Sequence, residues 1–167
     1  MNAVPGLRGR ACRRRTRPSF RRPDAYVSMS EADRERYGQA SNDLCRIDPR
    51  DGASPRHFLR AVLPIEVHGR AVPLNWGIWV EVLESTFHRV RELWSDPDQT
   101  SEPPMEGVLA NAIPSYESTL GLHCLVRLTG PTTRPAIWLA DAEHLLAQEQ
   151  RSGVSEERAT QWVHLFD

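Results

Sequence analysis

Apolar and polar side chains alternate along two neighbouring stretches of the chain, residues 57–68 and 72–82. Side chains two positions apart on an extended strand share a face, so each stretch predicts a half-buried β-strand. Gly69 and Arg70 permit a tight turn between the two, which predicts an antiparallel hairpin. The inner faces of this hairpin are predicted to carry Leu59, Ala61, Leu63, Ile65 and Val67 on one strand and Leu74, Trp76, Ile78, Val80 and Val82 on the other.

Shorter patterns predict the remaining elements. Strands are favoured over residues 43–48, 105–113, 122–128 and 134–139, the last two forming a second hairpin across Gly130 and Pro131. Ser30, Asp141 and Ser155 are predicted to be helix N-caps. The helices are expected to run from Ser30 to about Ala40, over 85–94, from Asp141 to Gln150 with Gly153 closing it, and from Ser155 onwards.

These elements predict an α+β fold. We expect a single domain, residues 24–167, with a mostly antiparallel sheet of about five or six strands and packed helices. A chain of 167 residues has room for one domain with its own core, and two full domains do not fit comfortably. No apolar run reaches the roughly 18 residues of a membrane-spanning helix, so we expect no membrane partner.

Residues 1–23 differ in composition from the rest of the chain. They contain eight Arg and no acidic residue, whereas residues 24–167 contain 13 Arg against 22 acidic residues. A segment rich in Arg, Gly and Pro is expected to form a disordered tail. We interpret it as a solvated tail, as the product of a misplaced start codon or shifted reading frame, or as a basic arm for nucleic acid or an acidic partner. Apart from such an arm, the formal net charge of −1 gives no reason to expect a nucleic-acid partner.

Composition also narrows the possible chemistry. All 21 basic residues are Arg and none is Lys, which is typical of a GC-rich coding sequence and therefore of a high-GC bacterium. The absence of a lysine amine excludes Schiff-base chemistry, pyridoxal phosphate attachment and the P-loop lysine, and no cofactor is predicted. Cys12, Cys45 and Cys124 form no C-x-x-C pair, so they predict free thiols in a reducing cytoplasm and no metal site.

A candidate site is predicted on the outer face of the first hairpin. Asn75, Trp79 and Glu81 share that face of the second strand, and Arg60 lies on the corresponding side of the first. Asn111 and Tyr116 are expected to join them from the stretch after residue 105. A guanidinium, an amide, an aromatic surface and a carboxylate suit the binding of a polar ligand or peptide better than bond breaking. The alternatives are that a helix covers Trp79 and that the cluster is a buried polar network orienting the sheet.

No catalytic residue is predicted. His123 and Cys124 are adjacent, and neighbours on a strand point to opposite faces, so they cannot form a dyad. His144 and Gln148 share a helix face but lack the carboxylate and third ligand of a metal site. A capping or helix-surface role for His144 is therefore favoured.

A series of ordered segments runs from about Pro18 to the C-terminus: residues 43–48, 57–60, 76–80, 107–111, 114–116, 119–120, 134–135 and 144–150. In order and spacing these segments resemble a bacterial family called domain of unknown function 2199. The family has no established activity, so the resemblance implies no function. Family members usually begin with C-x-x-C-G-x-x-H, half of a zinc site, whereas this chain has only Cys12 followed by three arginines. Either the gene start or reading frame is wrong there, or this member does without metal.

We therefore expect an uncharacterised cytoplasmic bacterial protein that acts as a non-catalytic binding or interaction domain. Its partner is expected to be an unknown protein or a polar ligand. The alternative is a small hydrolase or transferase with an unrecognised site around Arg60 and Glu81. A nucleophile and a base on one face would favour the alternative, and the sequence pattern indicates no such pair.

Overall fold

The computed structural model describes residues 18–166, and these form five α-helices, seven β-strands and a short 3-10 helix at Gln99–Ser101. The helices are α1 (Asp24–Val27), α2 (Glu31–Tyr37), α3 (Glu84–Leu93), α4 (Leu145–Ser152) and α5 (Glu156–His164). The strands are β1 (Gly38–Ala40), β2 (Leu44–Ile47), β3 (Arg56–Ile65), β4 (Leu74–Val82), β5 (Met105–Leu109), β6 (His123–Arg127) and β7 (Ala136–Leu139). The α+β class is confirmed. None of the helices among the described residues has the length and apolar character needed to cross a membrane.

All seven strands belong to one sheet, in which each strand is antiparallel to the next in chain order. Both predicted hairpins, β3–β4 and β6–β7, are confirmed. β7 then returns to lie parallel to β3, where Val62 is opposite Ala136 and the Val62 N–H donates to the Pro135 carbonyl at 2.9 Å. β3 therefore contacts three strands, and the sheet closes on itself.

One face of the sheet carries the main core. Large side chains from β3, β4 and β6 are fully buried there, among them Leu63, Trp76 and Val126. Helices α3 to α5 cover them with residues such as Val90, Leu146 and Trp162. The Trp76 and Trp162 rings meet edge to face with centroids 5.4 Å apart. Full burial of one such side chain contributes roughly 1.5–3 kcal/mol, so this face supplies most of the apolar stabilisation.

The opposite face of the sheet carries a smaller cluster, here called the outer cluster, formed by Cys45, Phe58, Trp79 and Ala110. Phe20 and the α1 residues Ala25 and Tyr26 pack against it. The N-terminal part of the described chain thus covers the second face of β4.

Residues 18–23, the end of the predicted tail, contact the domain directly. β5 pairs with β4 at Val80 and Glu81. Nearer the start of β4, Gly77 pairs with Ser19 of the N-terminal segment instead of with β5. The Gly77 N–H donates to the Pro18 carbonyl at 2.9 Å, and the Phe20 N–H donates to the Gly77 carbonyl at 2.8 Å. The rest of the predicted tail, residues 1–17 with Cys12, lies outside the described residues.

Two of the three predicted helix N-caps are confirmed. Ser30 and Ser155 each accept a backbone N–H through the side chain, both at 3.2 Å. α2 ends three residues before the predicted Ala40, because residues 38–40 pair with β2 as β1. The prediction that Asp141 caps a helix is wrong. Its carboxylate accepts the Glu143 N–H in a local turn, and α4 begins after His144 instead.

Candidate functional site

Asn111 follows β5 and joins three parts of the chain. Its fully buried side chain accepts the Trp79 N–H at 2.8 Å through Oδ1. Its Nδ2 donates to the Arg22 carbonyl and to Asp24 Oδ1, both at 3.0 Å. The amide therefore takes the place of a strand partner on β4 and links that strand to the chain before α1.

Asp24 positions α1. Its Oδ2 accepts the Ala112 N–H at 2.8 Å, and its own N–H donates to the Ala110 carbonyl at 2.9 Å. An isolated helix of four residues is unstable in water, so α1 depends on these bonds and on the bond from Asn111. They hold α1 beside the outer face of the sheet.

A pocket of about 400 Å³ lies between α1, the strands β3 to β5 and residues 120–121. We call it the α1 pocket. Its apolar lining consists of Ala25, Phe58, Val108, Leu109, Ala110 and Leu120. Its polar residues are Asp24, Ser28, Arg56 and Glu81. A mainly apolar recess with a few polar groups is typical of small-molecule sites.

Arg56 and Glu81 form an ion pair at the rim of the α1 pocket. Arg56 Nε donates to Glu81 Oε2 at 2.7 Å, and Nη2 donates to Oε1 at 3.3 Å. The guanidinium also lies over the Phe58 ring, 5.3 Å from its centroid. Because the Arg56 side chain is 53% exposed and that of Glu81 is 27% exposed, the pair is open to solvent. Such pairs contribute little to stability, so a ligand can rearrange this one at small cost.

The structure places three of the six predicted site residues around this pocket. Glu81 lies on the rim, whereas Trp79 and Asn111 lie behind the lining and are fully buried. Trp79 is covered by Phe20 and α1, and its Nε1 donates to the Phe20 carbonyl at 3.3 Å. Its indole therefore offers no surface to a ligand, and Asn111 acts within a buried polar network.

Arg60 and Asn75 lie away from the α1 pocket. Arg60 Nη2 donates to Ser19 Oγ at 2.9 Å and so helps to hold the N-terminal segment on β4. Asn75 lines a second pocket, of about 600 Å³, together with Trp94, residues 129 and 131–133 and the ion pair between Arg134 and Asp43. Of the predicted cluster, Glu81 therefore lines the α1 pocket and Asn75 lines the second pocket.

Tyr116 belongs to a different group of contacts, between its loop and the helices α4 and α5. Its hydroxyl donates to Glu149 Oε2 at 2.7 Å, and Arg158 pairs with Glu149 Oε1 at 3.1 Å. Burial, followed by the Glu149 contact, raises the pKa of Tyr116 well above its usual value. Tyr116 therefore stays protonated and links the loop to both helices, apart from the other five predicted residues.

The described cysteines are poor nucleophiles. Burial raises the pKa of Cys45 to about 11 and that of Cys124 to about 12, so both thiols are protonated at neutral pH. Cys124 is buried while its neighbour His123 is exposed, which confirms that the two point to opposite faces. Among residues 18–166, no three His, Cys, Asp or Glu side chains are arranged to hold a metal ion.

His144 has the predicted capping role. Its Nδ1 accepts the Leu146 N–H at 3.1 Å at the start of α4. The ring Nε2 lies 2.6 Å from the Glu117 carbonyl. Since Nδ1 is an acceptor, Nε2 carries the proton and donates to that carbonyl.

Two polar residues of the pocket, Asp24 and Arg56, are absent from the predicted site. Arg56 has a recognisable signal, because it lies two positions before Phe58 and therefore shares its face, as does Glu81 opposite Phe58. For Asp24, the only sequence signal of a helix start is the preceding Pro23. Its contact with Asn111 joins positions far apart in sequence, and no local pattern indicates that pairing.

Together the fold and the recess beside α1 define an α+β domain with a ligand-sized, largely apolar pocket on the outer face of its sheet. Residues 11–154 match the model of a family described as an uncharacterized protein conserved in bacteria (DUF2199). The chain therefore belongs to this bacterial family, as its resemblance predicts. Comparison with curated proteins and with solved structures found no match.

Proposed function

We propose that this protein is a non-catalytic binding domain that takes a small ligand or a short peptide segment in the α1 pocket. The observation that carries the proposal is the distribution of polarity in the pocket. Apolar side chains line most of it, and the Arg56–Glu81 pair lies at its rim. This arrangement suits a ligand with an apolar body and one polar end, because the body removes apolar surface from water while the end reaches the charges.

The lining residues favour binding over catalysis. Among the described residues that line the pocket, Ser28 supplies the one hydroxyl group and there is no histidine. The Ser28 hydroxyl donates to the Ala25 carbonyl at 3.0 Å. The Asp24 carboxylate accepts two N–H groups and that of Glu81 is paired with Arg56. A nucleophile needs a base within hydrogen-bond reach, and the lining residues that the structure describes offer no such pair. The alternative of a hydrolase or transferase around Arg60 and Glu81 therefore has less support.

Location in a reducing cytoplasm is part of the proposal. Both described cysteines, Cys45 and Cys124, are free thiols. Free thiols are the usual state of cysteine in the cytoplasm.

Three matched probes test the pocket and the charge it prefers: N-acetyl-leucinamide, N-acetyl-leucine and leucinamide, which are neutral, anionic and cationic. We expect at least one of them to shift the backbone amide signals of Ala25, Ala110 and Gly121 in ¹H–¹⁵N correlation spectra. Preference for the anion would assign recognition to Arg56, and preference for the cation would assign it to Asp24 and Glu81.

The matched variants are Ser28→Trp, which places a large side chain at an exposed position of the pocket, and Val72→Trp, which changes an exposed residue outside it. The first is expected to abolish the shifts and the second to leave them unchanged. Shifts that survive Ser28→Trp, or no shift with any probe, would contradict the binding site. Hydrolysis or acyl transfer of a probe, visible in its own spectrum, would contradict the non-catalytic assignment.

A further inference from the structure

The outer face of β5 to β7 carries an apolar patch that is open to solvent. Leu125 and Trp138 are 40% and 41% exposed. The strand register places them directly opposite each other, with Glu106 on the other side of Leu125. The solvated face of an antiparallel sheet normally carries polar side chains, whereas tryptophan and arginine are enriched at the centres of protein interfaces.

Two charged side chains flank this patch. Arg127 lies two residues beyond Leu125 on β6, and its guanidinium is over the Trp138 ring, 5.6 Å from the centroid. Glu106 lies beside Leu125 on β5. Within residues 18–166, the side chains of Arg127 and Glu106 form no ion pair. The patch therefore presents one cation and one anion around Leu125. Arg127 lies along the strand from Leu125, and Glu106 lies across the sheet from it.

We propose that this patch is the interface of a two-fold dimer, in which a second copy of the chain packs face to face over Leu125. Consider a two-fold axis that lies in the plane of the interface and passes over Leu125. The axis bisects the angle between the line from Leu125 to Glu106 and the line from Leu125 to Arg127. Rotation about this axis exchanges those two positions. Glu106 of each copy then faces Arg127 of the other, so a single operation pairs all four charges, as a two-fold interface requires.

The same rotation places the rest of the patch consistently. Leu125 meets its own copy at the centre, and Trp138 comes over His123, which lies two residues before Leu125 on β6. The strands of the two sheets cross at nearly 90°, one of the two common ways in which sheets pack. A patch of one charge sign would favour a partner of the opposite sign. A patch that holds both signs around an apolar centre is complementary to itself.

The patch spans three short strands, which is small beside the roughly 800 Å² per partner of a standard interface. We therefore expect a weak dimer, with a dissociation constant on the order of 0.1 mM. Sedimentation equilibrium over about 10 µM to about 1 mM covers this range.

Charge reversal tests the pairing. Glu106→Arg and Arg127→Glu each replace two opposite-charge pairs with two like-charge pairs, and each is expected to weaken the dimer by about tenfold or more. An equimolar mixture of the two variants restores both opposite-charge pairs, so it is expected to associate more tightly than either variant alone. The double variant Glu106→Arg/Arg127→Glu is expected to associate for the same reason.

Glu143→Arg, an equal charge change at an exposed residue off the patch, is the control and is expected to leave association unchanged. Circular dichroism checks that each variant is folded. The proposal is overturned if the wild-type chain is monomeric at every concentration, which would leave the patch to a different partner. Association that both single variants retain, growth beyond a dimer, or a mixture that fails to recover association would also overturn it.

Discussion

Trp76 and Trp79 are equally buried but lie on opposite faces of β4, the first in the main core and the second in the outer cluster. Replacing either with alanine removes a large buried side chain, so Trp76→Ala and Trp79→Ala are each expected to lower the free energy of unfolding by roughly 3–5 kcal/mol. Urea denaturation midpoints measure both losses.

The matched control for this pair is Trp138→Ala, which changes a half-exposed tryptophan and is expected to cost less than about 1 kcal/mol. If Trp79→Ala cost as little as that control, the outer cluster would contribute little to the fold. The packing of Phe20 and α1 over Trp79 would then add little to the free energy of unfolding.

His57 is a histidine buried among apolar side chains. It is 1% exposed, its ring lies 4.8 Å from that of Phe87, and its Nε2 has no hydrogen-bond partner within the described part of the chain. Burial lowers the pKa of His57, and the negative charge of Glu84 opposes that effect. Between the unfolded pKa of about 6.5 and the lower folded pKa, the unfolded chain binds more protons than the folded one. The free energy of unfolding therefore decreases as the pH falls below about 6.5.

His57→Phe is expected to remove this contribution, so the variant should lose less stability than the wild type between pH 7.5 and pH 5.5. Urea denaturation at the two pH values measures the difference. Phe87→Leu is the control, because it loses packing against the same ring but keeps the imidazole. An identical pH dependence in His57→Phe and the wild type would show that His57 does not couple to folding.

At the scale of elements, the contact between the N-terminal segment and β4 depends on a glycine. A Cβ added to Gly77 would lie 2.6 Å from Ser19 Oγ and 3.1 Å from Ser19 Cβ. Gly77→Ala is therefore expected to displace residues 18–20 and to cost about 1–3 kcal/mol. Ser19→Gly removes the obstructing atoms but also loses the Arg60 hydrogen bond.

The double variant Gly77→Ala/Ser19→Gly is expected to lose less stability than the sum of the two single losses, because the second change creates room for the first. Urea midpoints of all three variants give this coupling. Additive losses would indicate that Gly77 is required for a reason other than the approach of Ser19.

Elements with a sustained period were predictable from the sequence, and very short ones were not. β3, β4 and α5 repeat their apolar positions often enough to define a face. β1 and α1 have three and four residues, too few to show any period, and both depend on contacts with distant parts of the chain. The pairings of β3 with β4 and of β6 with β7 were predicted as hairpins, whereas the return of β7 to β3 has no local signal.

The candidate site was predictable only where strand alternation applied. Glu81 was assigned to the correct face of β4 because period two determines the face. Tyr116 was predicted to lie near Glu81, but the structure places it elsewhere. A loop has no period from which to predict side-chain direction, and the Tyr116 side chain contacts Glu149 and Arg158. The α1 wall of the pocket depends on the Asn111–Asp24 contact, which only the folded chain brings together.

At the scale of the whole molecule, the sheet separates two apolar clusters of unequal size, and each contains one buried thiol. Cys124 lies in the main core and Cys45 in the outer cluster. The outer cluster is covered by a four-residue helix and a short segment, so it is expected to open without global unfolding. Iodoacetamide should therefore modify Cys45 faster than Cys124 in the native protein, as measured by peptide mass spectrometry.

Gly77→Ala is a useful variant for the same measurement. We expect the added Cβ to displace Ser19 and so to loosen the cover of the outer cluster, which should speed modification of Cys45 more than that of Cys124. Equal rates for the two thiols, with the same dependence on urea, would mean that both clusters open together as one cooperative unit.

The parallel return of β7 has a consequence for how the chain is made. The pairing of Val62 with Ala136 cannot form until the ribosome has released almost the whole sheet, because β7 is the last strand to emerge. Until then, the part of β3 beyond its pairing with β2 has an open edge, and such edges promote association between chains. Contacts between residues so far apart in sequence also slow folding. The final strand therefore protects the earlier ones, and a nascent chain that stalls before residue 136 exposes an aggregation-prone edge.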